Sequence, residues 1–100
     1  MNDLLKGEIA LVTGASRGIG AAIADTLAVH GAKVIGTATS EAGAQAIGER
    51  LAAHGGVGRV LNVTDSAAVE TLVDDIAKEF GSVTILVNNA GITRDQLLMR

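Results

Sequence analysis

Short, mostly continuous apolar stretches recur along the chain, separated by segments whose apolar residues fall at helical spacing. Four stretches read as strands, over residues 8–13, 33–38, 59–63 and 83–88. They lack the strict alternation of a half-solvated strand, as expected where both faces of a sheet are covered. Three helical patterns lie between them. The first, over 19–30, sets Ile19, Ile23 and Leu27 on one face with Ala22 beside them, and Gly31 follows as a left-handed stop. The second, over 41–54, has a weaker stripe of Ala44, Ile47 and Leu51, interrupted by Gly43 and Gly48, each costing about 1 kcal/mol against Ala. The third carries Val69, Leu72, Val73, Ile76 and Phe80, with Asp65 placed to cap its start and Gly81 to end it.

The resulting order is β-α-β-α-β-α-β. Strands alternating with helices of this length imply a parallel sheet with right-handed crossovers. The predicted fold is α/β, a Rossmann-type doubly wound parallel sheet, of which residues 1–100 form the N-terminal β-α-β-α-β-α-β portion. No proline, repeat or long linker marks an internal domain boundary. Such folds continue with further strands beside the fourth, and here that edge is expected to be bare. The 100 residues alone are therefore expected to be marginally stable or prone to aggregate.

Composition sharpens this picture. The chain is 48% hydrophobic, almost all of it Ala, Val, Ile and Leu, and Phe80 is its single aromatic residue. Small aliphatic side chains suit helices packed close on a sheet, whereas binding single-stranded nucleic acid needs aromatic stacking platforms. A net charge of −3 without a basic block excludes a phosphate-backbone partner. The strongly apolar runs are four or five residues long, too short to span a bilayer, and the acidic start is no secretory signal. The chain has no cysteine. Together these features favour the cytoplasm, with no nucleic-acid or membrane partner. No His, Cys or carboxylate spacing suggests a metal site. Asp74 and Asp75 read as a solvated helix face, and His30 and His54 as solvent-facing helix ends.

The candidate chemistry lies between the first strand and the first helix, at Thr13-Gly14-Ala15-Ser16-Arg17-Gly18-Ile19-Gly20. Amides at a helix start, reinforced by the helix dipole, make a site for a pyrophosphate. Glycines serve where the backbone turns tightly or must approach the phosphates closely. The bland alternative is a tight turn without a ligand. The stretch resembles the T-G-x-x-x-G-x-G signature of the short-chain dehydrogenase/reductase family. That family's second motif, N-N-A-G, is matched by Asn88-Asn89-Ala90-Gly91 after the fourth strand.

An acidic residue about 20 positions past the glycines usually binds the ribose 2′-hydroxyl of NAD. The corresponding stretch, Gly36-Thr37-Ala38-Thr39-Ser40, has none, and Glu41 is placed to open the second helix. Hydroxyls such as that of Thr39 admit a 2′-phosphate that a carboxylate would repel, and Arg17 can pair with it. The expected cofactor is NADP(H), although Arg17 is also readable as a solvated arginine. Asn62-Val63 stands where the family usually has Asp-Val beside the adenine; the amide can hydrogen-bond the adenine amino group, or it can cap the strand or turn. The resemblance sets Asn89 at the adenine ribose, Asn88 in a structural role and Ile92 near the nicotinamide. The expected cofactor-binding residues are thus Gly14, Ala15, Ser16, Arg17, Gly18, Ile19, Gly20, Thr39, Asn62, Val63, Asn89, Ala90, Gly91 and Ile92.

Residues 34–40 and 88–100 are further similar to bacterial 3-oxoacyl-[acyl-carrier-protein] reductases, although Gln96 departs from the common I-T-R-D-N-L-L and Thr84 replaces a frequent Asp. This resemblance implies NADPH-dependent reduction of a 3-oxoacyl group on acyl-carrier protein, by an enzyme that is usually a homotetramer. In the family a tyrosine, whose ordinary pKa is about 10, donates the proton with help from a lysine, a serine and an asparagine. The chain has no Tyr, and Lys6, Lys33 and Lys78 fit no Tyr-x-x-x-Lys motif. No catalytic residue is assigned. The catalytic set is expected beyond Arg100, and the 100 residues alone are expected to be inactive. Alternatives are another short-chain NADP(H) oxidoreductase, such as an acetoacetyl-CoA reductase, or a non-catalytic NADP(H)-sensing module.

Overall fold

A computed structural model describes residues 4–89. The elements follow the predicted order: β1 (Ile9–Val12), α1 (Gly18–Val29), β2 (Lys33–Ala38), α2 (Glu41–Leu51), β3 (Val57–Val60), α3 (Ser66–Glu79) and β4 (Ile85–Val87). A short 3-10 turn, Ala52–His54, closes α2. All strand pairs are parallel, in the order β3-β2-β1-β4. The connections step outward from β1 through α1 and α2 on one side of the sheet, then return through α3 on the other, as a doubly wound sheet requires.

Two cores result. On one face Ala10, Val12, Val34 and Ala38 of the strands meet Ala24 and Ala28 of α1 and Ile47 and Leu51 of α2. On the other, Leu11 and Ile35 meet Leu72 and Ile76 of α3, with Val69 and Phe80 packed at the margin. Adjacent residues of β1 and β2 thus point to opposite cores, which explains their unbroken apolar runs. Burying a side chain the size of Leu11 or Ile35 contributes about 1.5–3 kcal/mol.

Helix boundaries follow local chemistry. Ser40 Oγ accepts from Gly43 N at 3.1 Å at the start of α2. Asp65 Oδ1 accepts from Ala68 N, also at 3.1 Å, at the start of α3, as its position predicts. Gly31 and Gly81 follow α1 and α3 with φ of 105° and 126°. His54, Asp74 and Asp75 are exposed, and His30 is half-buried at the end of α1.

The structure corrects two readings of the sequence. The buried face of α1 is not the Ile19, Ile23, Leu27 stripe but the small-residue row Gly20, Ala24 and Ala28. Ile19 is 73% exposed. A helix that starts in a tight turn directly off β1 lies close against the sheet, and only small residues fit beneath it. The third strand begins at Val57 rather than 59, pairing Ile35↔Val57 through Ala38↔Val60. Leu61 N adds one more bond, to Ala38 O at 2.9 Å. The chain then turns away, so Asn62 and Val63 lie past the strand rather than at its end. Gly58 lets α2 rest on this strand: a Cβ there would collide with the Ala44 carbonyl.

Candidate functional site

The glycine turn leaves β1 at its carboxyl end and enters α1 directly. Gly14 and Gly18 adopt φ of 64° and 65°, a conformation that costs other residues roughly 1–2 kcal/mol. Gly20 is required for space. A Cβ there would fall on the Gly14 carbonyl oxygen and lie 2.7 Å from Asn89 Nδ2. At Gly18, by contrast, a Cβ would meet nothing within 4 Å, so the surface over the start of the helix is open.

The carbonyls of the turn are tied back into the protein. Asn89 Nδ2 donates to Gly14 O at 3.1 Å and Arg50 Nη2 donates to Ala15 O at 2.8 Å. Ala15 N donates to Thr37 O at 2.9 Å, joining the turn to β2. Thr13 Oγ1 accepts from Asn89 N at 2.9 Å and contacts Asn88 Oδ1 at 3.2 Å. Both asparagines of the second motif therefore brace the first one across the sheet, although they lie 75 residues apart in sequence. This gives Asn88 the structural part expected of it and adds a bracing contact for Asn89.

The start of α1 differs from the other helix starts. Its N-cap, Arg17, makes no side-chain cap bond. Ser40 and Asp65 cap α2 and α3. The first amides of α1, at Gly18, Ile19 and Gly20, have no intrahelical acceptor and sit at the positive end of the helix dipole. This arrangement fits an anionic group: donors presented outward, carbonyls withdrawn, and no side chain filling the space.

The other expected residues gather along the same edge of the sheet or close to it. Ser16 Cβ lies 3.6 Å from the position a Gly43 Cβ would take, which sets the turn beside the start of α2. Thr39 and Ser40 are exposed at the tip of β2, but the Ser40 hydroxyl is committed to its helix, leaving Thr39 the uncommitted one among the described residues. Arg17 is exposed and joins no ion pair among the described residues. Asn62 Oδ1 accepts from Thr64 N at 3.0 Å and from Thr64 Oγ1 at 2.7 Å. Its amide oxygen thus shapes the turn after β3, which corrects the expected bond to the adenine amino group: that bond needs the oxygen as acceptor, and only the donor Nδ2 remains. Val63 packs at the margin of the α3-side core. Ala90, Gly91 and Ile92 lie outside the described residues.

Sequence reasoning missed Arg50 and the bracing role of Thr13. Thr13 was visible inside the glycine motif. Arg50 had no local signal, because its partners Asp25 and Ala15 lie 25 and 35 residues away. Among the described residues no group of His, Cys, Asp or Glu is placed to hold a metal, and no helix is long and apolar enough to cross a membrane.

A parallel α/β sheet with an uncapped helix at a glycine turn is the architecture of the Rossmann-type class. Comparison with known proteins identifies the lineage: the chain belongs to the short chain dehydrogenase family, whose model matches residues 8–99. It is 70% identical over 95 residues to the 3-oxoacyl-[acyl-carrier-protein] reductase FabG of Escherichia coli K12, covering 95% of this chain and 38% of that protein. The reductases of the same name from Haemophilus influenzae and Pseudomonas aeruginosa are 62% and 55% identical, each over 96% of this chain and 39% and 40% of theirs. The chain thus spans about two-fifths of the length of the curated relatives it matches.

Proposed function

We propose that this chain is the cofactor-binding portion of an NADPH-dependent 3-oxoacyl-[acyl-carrier-protein] reductase of fatty-acid synthesis. The observation that carries the reading is the start of α1, the one helix of three without a side-chain cap among the described residues, where the carbonyls of the turn point inward. Its identity to three reductases of that name supports the substrate class.

In this reading the amides of Gly18, Ile19 and Gly20 hold the pyrophosphate, within the turn formed by Gly14, Ala15 and Ser16. Arg17 and the Thr39 hydroxyl receive the 2′-phosphate at a strand tip without a carboxylate, where a guanidinium forms the stronger, charge-assisted bonds. Asn62 offers Nδ2 to a ring nitrogen of the adenine, because its oxygen is held by Thr64. Val63 lies beside the base, Asn89 and Ala90 line the ribose, and Gly91 and Ile92 lead toward the nicotinamide. The bound cofactor supplies a hydride to the 3-keto carbon. A proton-donating tyrosine is not among these 100 residues. The enzyme works in the cytoplasm as a homotetramer.

The test uses the full-length protein. NADPH oxidation should be faster with acetoacetyl-[acyl-carrier-protein] than with acetoacetyl-CoA, and much faster than NADH oxidation. Equal rates with the CoA ester would favour an acetoacetyl-CoA reductase. Failure to bind either dinucleotide would refute the reading. The tetramer is tested by sedimentation of the same protein.

A further inference from the structure

We propose that Arg50, near the end of α2, is a positioning residue that holds the phosphate-binding turn in its binding shape. The inference rests on the dinucleotide-binding reading above and extends it to a side chain outside both sequence motifs.

A turn that grips an anion through its amides must keep its carbonyl oxygens pointed elsewhere, since a carbonyl facing the phosphates would repel them. In this chain two side chains enforce that orientation. Asn89 holds Gly14 O at 3.1 Å, and Arg50 Nη2 holds Ala15 O at 2.8 Å. The second bond is charge-assisted and therefore the stronger. The other arm of the same guanidinium, Nε, meets Asp25 Oδ1 of α1 at 2.9 Å. One planar group thus joins the turn, the helix it opens and the neighbouring helix. The ion pair adds little stability by itself, since the Arg50 and Asp25 side chains are 31% and 47% exposed. Its effect is on the direction of the guanidinium: Asp25 fixes one edge of the fork and so aims the other at Ala15 O. A lysine keeps the charge but presents no rigid fork.

Without Arg50 the Ala15 carbonyl loses its partner, and conformers with that peptide turned outward become populated. Affinity falls by the fraction of turns in the competent shape. This penalty does not depend on the 2′-phosphate, so it weakens NADPH and NADH binding alike. That separates Arg50 from Arg17, which faces the 2′-phosphate.

The experiment measures dissociation constants for NADPH and NADH in the full-length wild type, Arg50→Met, Arg50→Gln and Arg50→Lys, well below each thermal midpoint. Arg50→Met and Arg50→Gln should weaken both dinucleotides by the same factor, on the order of tenfold, the equivalent of one charge-assisted hydrogen bond. Arg50→Lys should recover only part of it. A lowered midpoint with unchanged dissociation constants would make Arg50 merely structural and overturn the proposal. Full recovery by Lys would assign the effect to charge alone and also overturn it, as would a loss confined to NADPH. A wild type that binds neither dinucleotide would instead defeat the underlying reading, so the two failures are distinguishable.

Discussion

Replacing Gly20 by Ala isolates the physical requirement of the turn, because the usual sign of such a change is reversed there. In an open helical position Gly→Ala is stabilising by about 1 kcal/mol. At Gly20 the new Cβ would land on the Gly14 carbonyl oxygen, 2.9 Å from the carbonyl carbon and 2.7 Å from Asn89 Nδ2. Two of these atoms are backbone, so the turn itself must move. Overpacking of this kind costs about 1–3 kcal/mol. Displacing the Asn89 bond to Gly14 O costs about 0.5–1.5 kcal/mol more. After the helix-propensity gain is subtracted, Gly20→Ala should destabilise by about 0.5–3.5 kcal/mol. Gly48 is an internal control. It too lies within a helix, but a Cβ there meets only Gly58 N at an ordinary 3.6 Å. Gly48→Ala should therefore be stabilising by about 0.5–1 kcal/mol. Denaturant unfolding of the full-length protein gives both values from the shift in midpoint, and titration with NADPH shows whether the turn still binds. A Gly20→Ala protein as stable as wild type with unaltered affinity would refute the idea that close approach of helix and turn demands glycine.

Other changes probe separate parts of the argument. Arg17→Ala should raise the KM for NADPH far more than that for NADH in steady-state assays; equal effects would remove Arg17 from the 2′-phosphate. Asp65→Ala deletes the cap of α3 and should cost about 1 kcal/mol in denaturant unfolding, with no change in KM for NADPH. Thr37 is fully buried and its Oγ1 has no hydrogen-bond partner among the described residues. Thr37→Val should accordingly be stabilising by about 1 kcal/mol, and a loss of stability would mean that the hydroxyl is bonded.

Much of the site was legible because its determinants are local. The glycine spacing announces the turn, and Glu41 opens α2 as its place in the sequence predicts. Asp65 was recognisable as a cap from its place before an apolar stripe. Asn62 resolved less simply. Both a base contact and a turn cap were open in the sequence, and the bonds to Thr64 commit its oxygen to the turn while leaving Nδ2 available. Arg50 was not legible at all, since nothing near position 50 indicates that its side chain reaches back to Ala15.

The sequence by itself determined the element order, the parallel sheet, the cap of α3 and the place of the glycine turn. These depend on periodicity and on chemistry within a few residues, which a linear string records directly. Tertiary structure decided the rest: that α1 buries Gly20, Ala24 and Ala28 while Ile19 faces outward, that β3 starts at Val57, and that Asn89 and Arg50 turn the carbonyls inward. Each of those outcomes depends on the distance between segments far apart in the chain. Such distances are set only when helices settle on the sheet and steric contact selects which side chains fit between them.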